Sequence, residues 1–444
     1  MPKPRQLANQ PETAKKLMTP LSFSPFRLDA RGLCLASLLF CVSATQSVAE
    51  DWPEILGPSR NGRTIQLPMK PEKWPSTLKP VWEVEVGAGY AGPAIVEDTV
   101  YLPHRKDNLE VLTAYDLGSG RKIWQSSWKT SYRGRIHPDE GPRCVPCVQG
   151  DRILCYGAGG DLVCFNLQSG AELWNRPLRK EYDADDGYFG AGSSPLAIGE
   201  LAITCVGGKK GGVVAVDIET GETRWTATEY EASYSSPVAF QAAGGKQVLL
   251  CIMRLNVVLL DVKTGEVLSD LRFGSRGPTV NAATPIALDD FNKKFLLTAS
   301  YNVGTLVASV DRMGMTEDYR NQRLLASQYN SPVRVGDLVF GVSGREDVGD
   351  GKLRAIDPAK QKVLWEIPDF GTAHLIGFDK QVLAMDLDGR VVLFNASGES
   401  YQQVAETGLP TSTYRSLPAL SGRYLVVRGS DGASGGRLIR VDLP

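Results

Sequence analysis

Histidine and cysteine, which often act in catalysis or bind metals, are few in this chain and are widely spaced. Its three histidines are His104, His137 and His374, and none lies within helical or hairpin spacing of another. Cys144 and Cys147 have the C-x-x-C spacing of zinc and redox sites, but no second such pair accompanies them. Because a zinc site needs more ligands and a thioredoxin-like motif needs a βαβ setting, we predict neither.

The cysteines beyond residue 49 all fall in the first half of the remaining chain: Cys144, Cys147, Cys155, Cys164, Cys205 and Cys251. Cysteine behaves as a small apolar side chain when it is buried, so we interpret these residues as core-filling residues of strands. A cross-strand disulfide in an oxidising compartment stays open as an alternative, and the sequence fixes no pairing.

An acidic stretch over residues 181–189 holds the remaining candidate metal ligands. Asp183, Asp185 and Asp186 could offer spaced oxygen atoms to Ca²⁺. The spacing departs from an EF-hand loop, because Gly187 comes at the fifth position and no glutamate stands at the twelfth. We therefore favour a solvated acidic turn, with a calcium site at the three aspartates as the alternative.

Motifs of nucleophilic, metal-dependent and phosphate-binding enzymes are absent from the sequence. It contains no Gly-x-Ser-x-Gly, no His-Glu-x-x-His and no P-loop. The glycine-rich stretch 207–212 lies between two predicted strands rather than before a helix, so we predict a hairpin turn there. No residue is predicted to be catalytic.

A repeated unit supplies the elements that must position these residues. Each copy carries an Asp or Asn at the end of a predicted strand, and these markers are 38–51 residues apart: Asp116, Asn166, Asp217, Asp261, Asp311, Asp357, Asn395 and Asp442. In six copies a glycine follows three or four residues later. The carboxylate or amide oxygen can accept backbone N–H groups in such a turn, and glycine supplies a positive φ.

Seven of the eight units open on a proline, and each unit contains short apolar runs of strand length. Repeats of about 40–50 residues with four strands each are typical of a β-propeller. We therefore predict an all-β fold, an eight-bladed β-propeller of four-stranded antiparallel blades over 81–444. The last unit lacks a tryptophan strand, whereas strand 81–86 carries an unmatched Trp82. We expect this N-terminal strand to complete the last blade and close the ring.

The first 49 residues have the pattern of an export signal. Residues 32–44 are uncharged and apolar, two arginines precede them, and Ser47-Val48-Ala49 places small residues at a cleavage site. The run is shorter than the roughly 20 residues that span a bilayer. We predict a signal peptide over 1–49, cleaved near Ala49, with a short membrane anchor or a buried helix as the alternative.

Cleavage would leave a lead segment over residues 50–80 before the propeller, in a periplasmic or secreted protein. Translation could start at Met1 or at Met18. No other segment is apolar enough to cross a membrane, so we expect no transmembrane span in the mature chain. The net charge of −1 argues against a nucleic-acid partner, which usually requires a basic excess.

The frame Ala-x-Asp-x-x-Thr/Ser-Gly-x-x-x-Trp, clearest at 114–124 and 215–225, resembles the pyrroloquinoline-quinone (PQQ) repeat. Stretches at 51–62, 141–143 and 234–237 look like exported bacterial members of the PQQ-like β-propeller family. The resemblance covers 81–444. It implies that the repeat tryptophans dock onto the neighbouring blade, where a flat ring buries much apolar area; these residues are Trp82, Trp124, Trp174, Trp225 and Trp365.

The resemblance implies two different kinds of function. PQQ dehydrogenases of this type add adjacent cysteines that form a disulfide over the quinone, Ca²⁺ ligands beside it, and long insertions. This chain has no Cys-Cys pair, so we expect no cofactor, with PQQ and Ca²⁺ as the alternative. Other members, such as the BamB-type component of outer-membrane barrel assembly, are scaffolds that dock proteins.

Residues that precede the innermost strand of each blade should line the mouth of the central channel. Three residues before the strand-opening prolines, five of seven positions hold Tyr or Arg: Tyr90, Arg143, Tyr234, Tyr329 and Arg415. These side chains combine stacking surface with hydrogen-bond donors, which suits recognition of a ligand or a peptide. The alternative is that they fill the channel and bond to loop carbonyls. Tyr188 and Phe189 are candidates to cover the same mouth.

The leading hypothesis is therefore an exported, non-catalytic interaction scaffold that binds protein partners on one face. The alternatives are a small-molecule or glycan binder at the mouth, and a PQQ-dependent oxidoreductase. Fold alone does not decide among them.

Overall fold

The structure is a computed structural model that describes residues 50–65, 73–134, 136, 138–242, 244–277, 279–311, 314–432 and 435–444. The predicted signal peptide at 1–49 lies outside the described residues. Within the described part, no helix is long and apolar enough to cross a membrane.

Short strands alternate with tight turns along the whole described chain. Strand β1 (Pro80–Val86) comes first. Blade 1 contains β2 (Ala94–Val96), β3 (Thr99–Lys106), β4 (Leu109–Asp116) and β5 (Lys122–Lys129). Blade 2 contains β6 (Cys147–Gln149), β7 (Arg152–Tyr156), β8 (Leu162–Asn166) and β9 (Glu172–Arg176), and helix α1 (Leu178–Glu181) follows it. Blade 3 contains β10 (Leu196–Ile198), β11 (Leu201–Gly208), β12 (Gly211–Asp217) and β13 (Thr223–Ala227).

The next blades repeat the same order of four strands. Blade 4 contains β14 (Val238–Gln241), β15 (Gln247–Ile252), β16 (Asn256–Asp261) and β17 (Val267–Arg272). Blade 5 contains β18 (Ile286–Ala287), β19 (Lys294–Ala299), β20 (Gly304–Asp311) and β21 (Gly314–Asn321). Blade 6 contains β22 (Val333–Val335), β23 (Leu338–Ser343), β24 (Lys352–Asp357) and β25 (Lys362–Ile367). Blade 7 contains β26 (Ala373–Gly377), β27 (Gln381–Asp386), β28 (Arg390–Asn395) and β29 (Gln403–Gly408).

Blade 8 closes the ring. It contains β30 (Ala419–Ser421), β31 (Tyr424–Ser430) and β32 (Gly436–Asp442), and β1 pairs antiparallel with β32 as its outer strand. In every sheet the shortest strand lies at one edge, and the three longer strands follow it across the sheet. The prediction of eight four-stranded blades, closed by the N-terminal strand, is therefore confirmed. The closing strand begins at Pro80, one residue earlier than predicted.

The marker motif holds neighbouring blades together. Trp82 in β1 donates its indole N–H to the carbonyl of Leu117 in blade 1, with the two atoms 2.8 Å apart. Its ring covers Gly120, where an added Cβ would lie 2.7 Å from the indole. The other repeat tryptophans donate to the next blade in the same way: Trp124 to Leu167, Trp174 to Ile218, Trp225 to Val262 and Trp365 to Ser397. The glycine is thus required both for its positive φ and for the space that the ring fills.

The marker carboxylates stabilise the turns from within. Asp116 Oδ1 accepts the N–H of Ser119 at 2.7 Å, and Asp217 Oδ1 accepts that of Thr220 at 2.8 Å. Apolar side chains of adjacent blades pack between the sheets and form the core. All six described cysteines belong to this interior, where they are buried as free thiols. The six cysteines therefore lie in the core, as the core-filling interpretation predicted. No disulfide links them in this structure.

Candidate functional site

Residues 50–65 cross the central channel and divide it. Trp52 exchanges backbone hydrogen bonds with Ile95 of β2, at 2.8 and 2.9 Å. At the other end of the segment, Thr64 donates to the carbonyl of Gly377 in β26 at 3.1 Å. The buried Arg60 donates to the carbonyl of Pro195 in blade 3 at 3.0 Å. Half of the predicted lead segment is therefore a plug built into the ring, and we call residues 50–65 the channel plug.

Two cavities are lined by opposite ends of the inner strands, and the channel plug contributes residues to both. The mouth cavity, of about 700 Å³, is lined by residues that precede the inner strands and by Ile55 of the plug. The rear cavity, of about 420 Å³, is lined by residues that follow the strand-opening prolines and by residues 59–61 and 63 of the plug.

All five predicted mouth residues line the mouth cavity: Tyr90, Arg143, Tyr234, Tyr329 and Arg415. They come from the approaches to blades 1, 2, 4, 6 and 8, so the periodic position before each inner strand brings them together. Tyr188 and Phe189 line the same cavity. Tyr234 holds them there, because its hydroxyl accepts the N–H of Phe189 at 2.8 Å and its ring meets the Phe189 ring edge-on at 5.8 Å.

Arginine and tyrosine side chains form a fixed cluster on one side of the mouth cavity. The guanidinium of Arg143 lies 5.6 Å from the centre of the Tyr90 ring, and that of Arg415 lies 5.9 Å from it. Arg415 Nε donates to Glu346 Oε1 at 2.7 Å, and the Tyr329 hydroxyl donates to Glu346 Oε2 at 2.8 Å. Each member of the cluster is therefore oriented by at least one other.

Two titratable residues that line the mouth cavity, Tyr329 and His374, have pKa values shifted by burial. Burial, followed by the Glu346 carboxylate, raises the pKa of Tyr329, so its hydroxyl remains a donor at neutral pH. Burial lowers the pKa of His374, which therefore remains neutral. His374 Nε2 lies 2.9 Å from the carbonyl oxygen of Arg415. Since a carbonyl only accepts, Nε2 carries the proton.

Sequence reasoning missed several residues of the mouth cavity: Tyr301, Gln328, Arg345, Glu346, Asp347 and His374. Three of them lie on the connection between β23 and β24, residues 344–351, which is longer than the other hairpin connections inside the blades. Its length was a visible signal in the sequence. Arg345 packs over the Tyr301 ring at 4.7 Å and donates to Asp347 at 3.1 Å.

The three aspartates of the acidic stretch do not line the mouth cavity. Glu181, predicted to lie in a loop, ends helix α1. All three aspartates are exposed; Asp183 faces Lys209 at 3.9 Å and Asp186 faces Arg179 at 3.7 Å. No group of three His, Cys, Asp or Glu side chains within the described ranges could hold a metal ion.

The acidic side chains of the mouth cavity are paired with arginines. Calcium takes six to eight oxygen ligands, commonly including carboxylates. The carboxylates that line this cavity are Glu346 and Asp347, and each is occupied by an arginine, Arg415 and Arg345 respectively. Cys144, which lies behind the cavity wall, is buried, and burial raises the pKa of its thiol.

Comparison with known proteins places the chain among PQQ-type propellers. A family model described as "Outer membrane protein assembly factor BamB" matches residues 108–367. The chain is 24% identical over 388 residues to the outer membrane protein assembly factor BamB of Burkholderia pseudomallei, covering 84% of this chain and 91% of that protein.

Dehydrogenases share the same architecture. The chain is also 24% identical over 361 residues to the quinohemoprotein alcohol dehydrogenase ADH-IIG of Pseudomonas putida, covering 67% of this chain but 46% of that enzyme. A solved europium-containing methanol dehydrogenase superimposes with a TM-score of 0.68 at 12% identity, covering 89% of this chain and 98% of that one. At that identity the structural likeness establishes the fold alone.

Proposed function

The chain belongs to the family of the outer membrane protein assembly factor BamB, and on that premise we propose that it is an exported, non-catalytic propeller whose mouth cavity binds a protein partner. The observation that carries the proposal is the Tyr and Arg cluster at the mouth. Tyrosine and arginine are enriched among residues that dominate binding energy at protein interfaces.

The rigidity of the cluster supports binding. Tyr90 packs against two guanidiniums, Arg415 is anchored by Glu346, and Tyr234 holds the backbone of Phe189. Side chains that are already fixed lose little conformational entropy when a partner arrives, so more of the contact energy appears as affinity. A partner would insert a loop or a strand end into the cavity and stack on these rings.

The charge state of the cavity argues for binding over catalysis. Its carboxylates are paired with arginines, Tyr329 is held as a phenol, and His374 is neutral with a lowered pKa. A general acid or base works best when its pKa is near the operating pH. Neither Tyr329 nor His374 is tuned in that way.

The test compares partner recovery by matched variants. We expect the double variant Tyr234→Ala/Arg415→Ala to recover at least about 30-fold less of the partner than wild type, since two such residues typically contribute 2 kcal/mol or more. Tyr230→Ala/Arg272→Ala removes the same residue types outside the cavity and should bind as wild type does. Equal recovery by both double variants, with melting temperatures matched to wild type, would reject the mouth as the binding site.

A small molecule or glycan is the second candidate ligand, because a cavity of about 700 Å³ falls within the range of ligand sites. Aromatic rings offer stacking faces to sugars, and the surrounding polar groups offer hydrogen bonds. A glycan array would separate the two: binding that the Tyr234→Ala/Arg415→Ala variant loses, without any protein partner, favours the glycan.

The similarity to a quinohemoprotein alcohol dehydrogenase suggests a third candidate function, that of a PQQ-dependent oxidoreductase. Adding PQQ and Ca²⁺, removing unbound quinone and assaying dye-linked alcohol oxidation tests it directly. We expect neither retained quinone absorbance nor dye reduction, because the cavity carboxylates are engaged by arginines. Retained quinone together with dye reduction would favour the enzyme over the scaffold.

A further inference from the structure

The rear cavity is independent of the mouth and carries its own chemistry. One wall consists of guanidinium groups from the channel plug and from blade 6, namely those of Arg60, Arg63 and Arg334. The lining also includes apolar residues, among them Phe240, whose ring lies 4.4 Å from the ring of Phe295. The cavity of about 420 Å³ therefore combines cationic and aromatic lining residues.

Two charged side chains of the cavity, Arg63 and Asp289, have no ion-pair partner among the described residues. Arg60 is paired with Glu54, and Arg334 with Asp290. Asp289 Oδ1 is engaged by its own hairpin, where it accepts the N–H groups of Phe291 at 2.8 Å and Lys293 at 3.1 Å.

Arg63 differs from the other arginines of the cavity. Within the described ranges its guanidinium has no hydrogen-bond or ion-pair partner, and its Nε is buried. The Nε of Arg60, a side chain that is only 4% exposed, is also buried without a partner. A buried donor without an acceptor destabilises the protein, so a ligand that offers an acceptor to these two Nε atoms would gain binding free energy.

We propose that the rear cavity binds a small monocarboxylate with an apolar body, whose carboxylate pairs with Arg63 and whose body packs against Phe240. A guanidinium presents two parallel donors that match a planar carboxylate. Arg63 is the one lining guanidinium without an ion pair among the described residues, and the nearby Asp289 and Asp290 carboxylates disfavour a phosphate dianion more than a monoanion. Free carboxylic acids and the C-terminal carboxylate of a peptide share this chemistry.

The plug can tolerate the substitution that tests the proposal. The described hydrogen bonds of Arg63 are made by its backbone, whose N–H donates to Asn61 Oδ1 at 3.0 Å. The neighbouring Thr64 anchors the segment to blade 7 through its backbone N–H. Arg63→Gln therefore removes the charge and the paired donors while the plug stays in place. Arg63→Lys keeps the charge but loses the bidentate geometry.

The probe is 3-phenylpropionate, titrated into the full-length protein by ligand-observed NMR. We expect a Kd of about 0.1–1 mM, as for a small ligand of this size. We expect Arg63→Gln to weaken binding by about 10- to 100-fold, the range for charge-assisted hydrogen bonds, with Arg63→Lys in between. Arg121→Gln, an exposed arginine on a blade turn, is the matched control and should leave the Kd unchanged.

Further ligands and variants separate the outcomes. 3-Phenylpropionamide should not bind, and acetate should bind at least about tenfold more weakly, because one lacks the charge and the other the apolar body. An N-acetylated dipeptide ending in Phe distinguishes a peptide terminus from a free acid. The Tyr234→Ala/Arg415→Ala variant should bind the probe normally. Equal binding of acid and amide, an unchanged Kd in Arg63→Gln, or loss of binding in the mouth variant would overturn the proposal.

Discussion

A buried carboxyl group in blade 1 gives the sharpest stability prediction. Glu110 is fully buried on β4. Its Oε1 accepts the N–H of Ala158 at 2.8 Å, but its Oε2 has no hydrogen-bond partner in the described structure. Burial raises its pKa from 4.5 to about 7, and the hydrogen bond from Ala158 opposes that rise only in part. The folded protein therefore holds this proton where the unfolded chain releases it.

The sign of the pH dependence follows from this difference. Between pH 4.5 and pH 7 the folded state binds more protons at Glu110 than the unfolded state does, so this group makes the protein less stable as pH rises. The loss is complete above pH 7 and amounts to about 3 kcal/mol, at about 1.4 kcal/mol for each pH unit between the two pKa values. The Glu110→Gln variant cannot ionise at this position, so its free energy of unfolding does not show this decrease.

The assay is urea unfolding of wild type and Glu110→Gln between pH 4.5 and pH 8. We expect the stability difference to change in favour of the variant by about 3 kcal/mol across this range. Taking the difference cancels titrating groups that do not interact with Glu110. Asp161, whose pKa burial raises to about 6, acts on Glu110 through its charge and is part of the measured difference. Glu172→Gln, on an exposed position of β9, is the control and should show no such trend. A difference between wild type and Glu110→Gln that is flat with pH would refute the reasoning.

Three further predictions follow from the blade contacts and from the buried histidines. Gly265→Ala should destabilise the protein by about 2 kcal/mol or more, because φ is +73° and the new Cβ would lie 2.5 Å from the Trp225 ring. Gly199→Ala, at a similar φ of +57° but with nothing within 4 Å of the new Cβ, should lower the free energy of unfolding by only about 1 kcal/mol. Equal losses for the two variants in urea unfolding would show that contact with the Trp225 ring does not contribute. His104 should stay neutral down to about pH 4 in an NMR titration, since burial lowers its pKa to about 3, and a midpoint near 6.5 would contradict its burial.

The repeat made the ring predictable. Asp, Gly and Trp recur because each blade needs the same turn and the same inter-blade contact, so local spacing revealed the global closure. The position three residues before each strand-opening proline located Tyr90 and Arg415 for the same reason. The repeat determines that side chains at these positions point into the mouth cavity, so they could be predicted without knowing which distant residues they contact.

Features outside the repeat were not predictable in this way. Glu346 lies on a hairpin connection of unusual length, and its pairing with Arg415 joins residues 69 positions apart. The channel plug has no periodic pattern, and it turns at Leu56 and Arg60, two non-glycine residues with positive φ of 60° and 49°. Such backbone conformations are maintained by tertiary contacts, because the local conformational preferences of these residues do not favour a positive φ. The rear cavity exists only because the plug crosses the channel.

The central claim is that a protein partner enters the mouth cavity, and site-specific photocrosslinking tests it most directly. A benzophenone amino acid would replace Tyr329 inside the cavity or Tyr230 outside it, in cells that make and export the protein. The account predicts a discrete crosslinked protein species from position 329 and none from position 230. Crosslinks from position 230 alone, or no crosslinked protein from position 329, would contradict it.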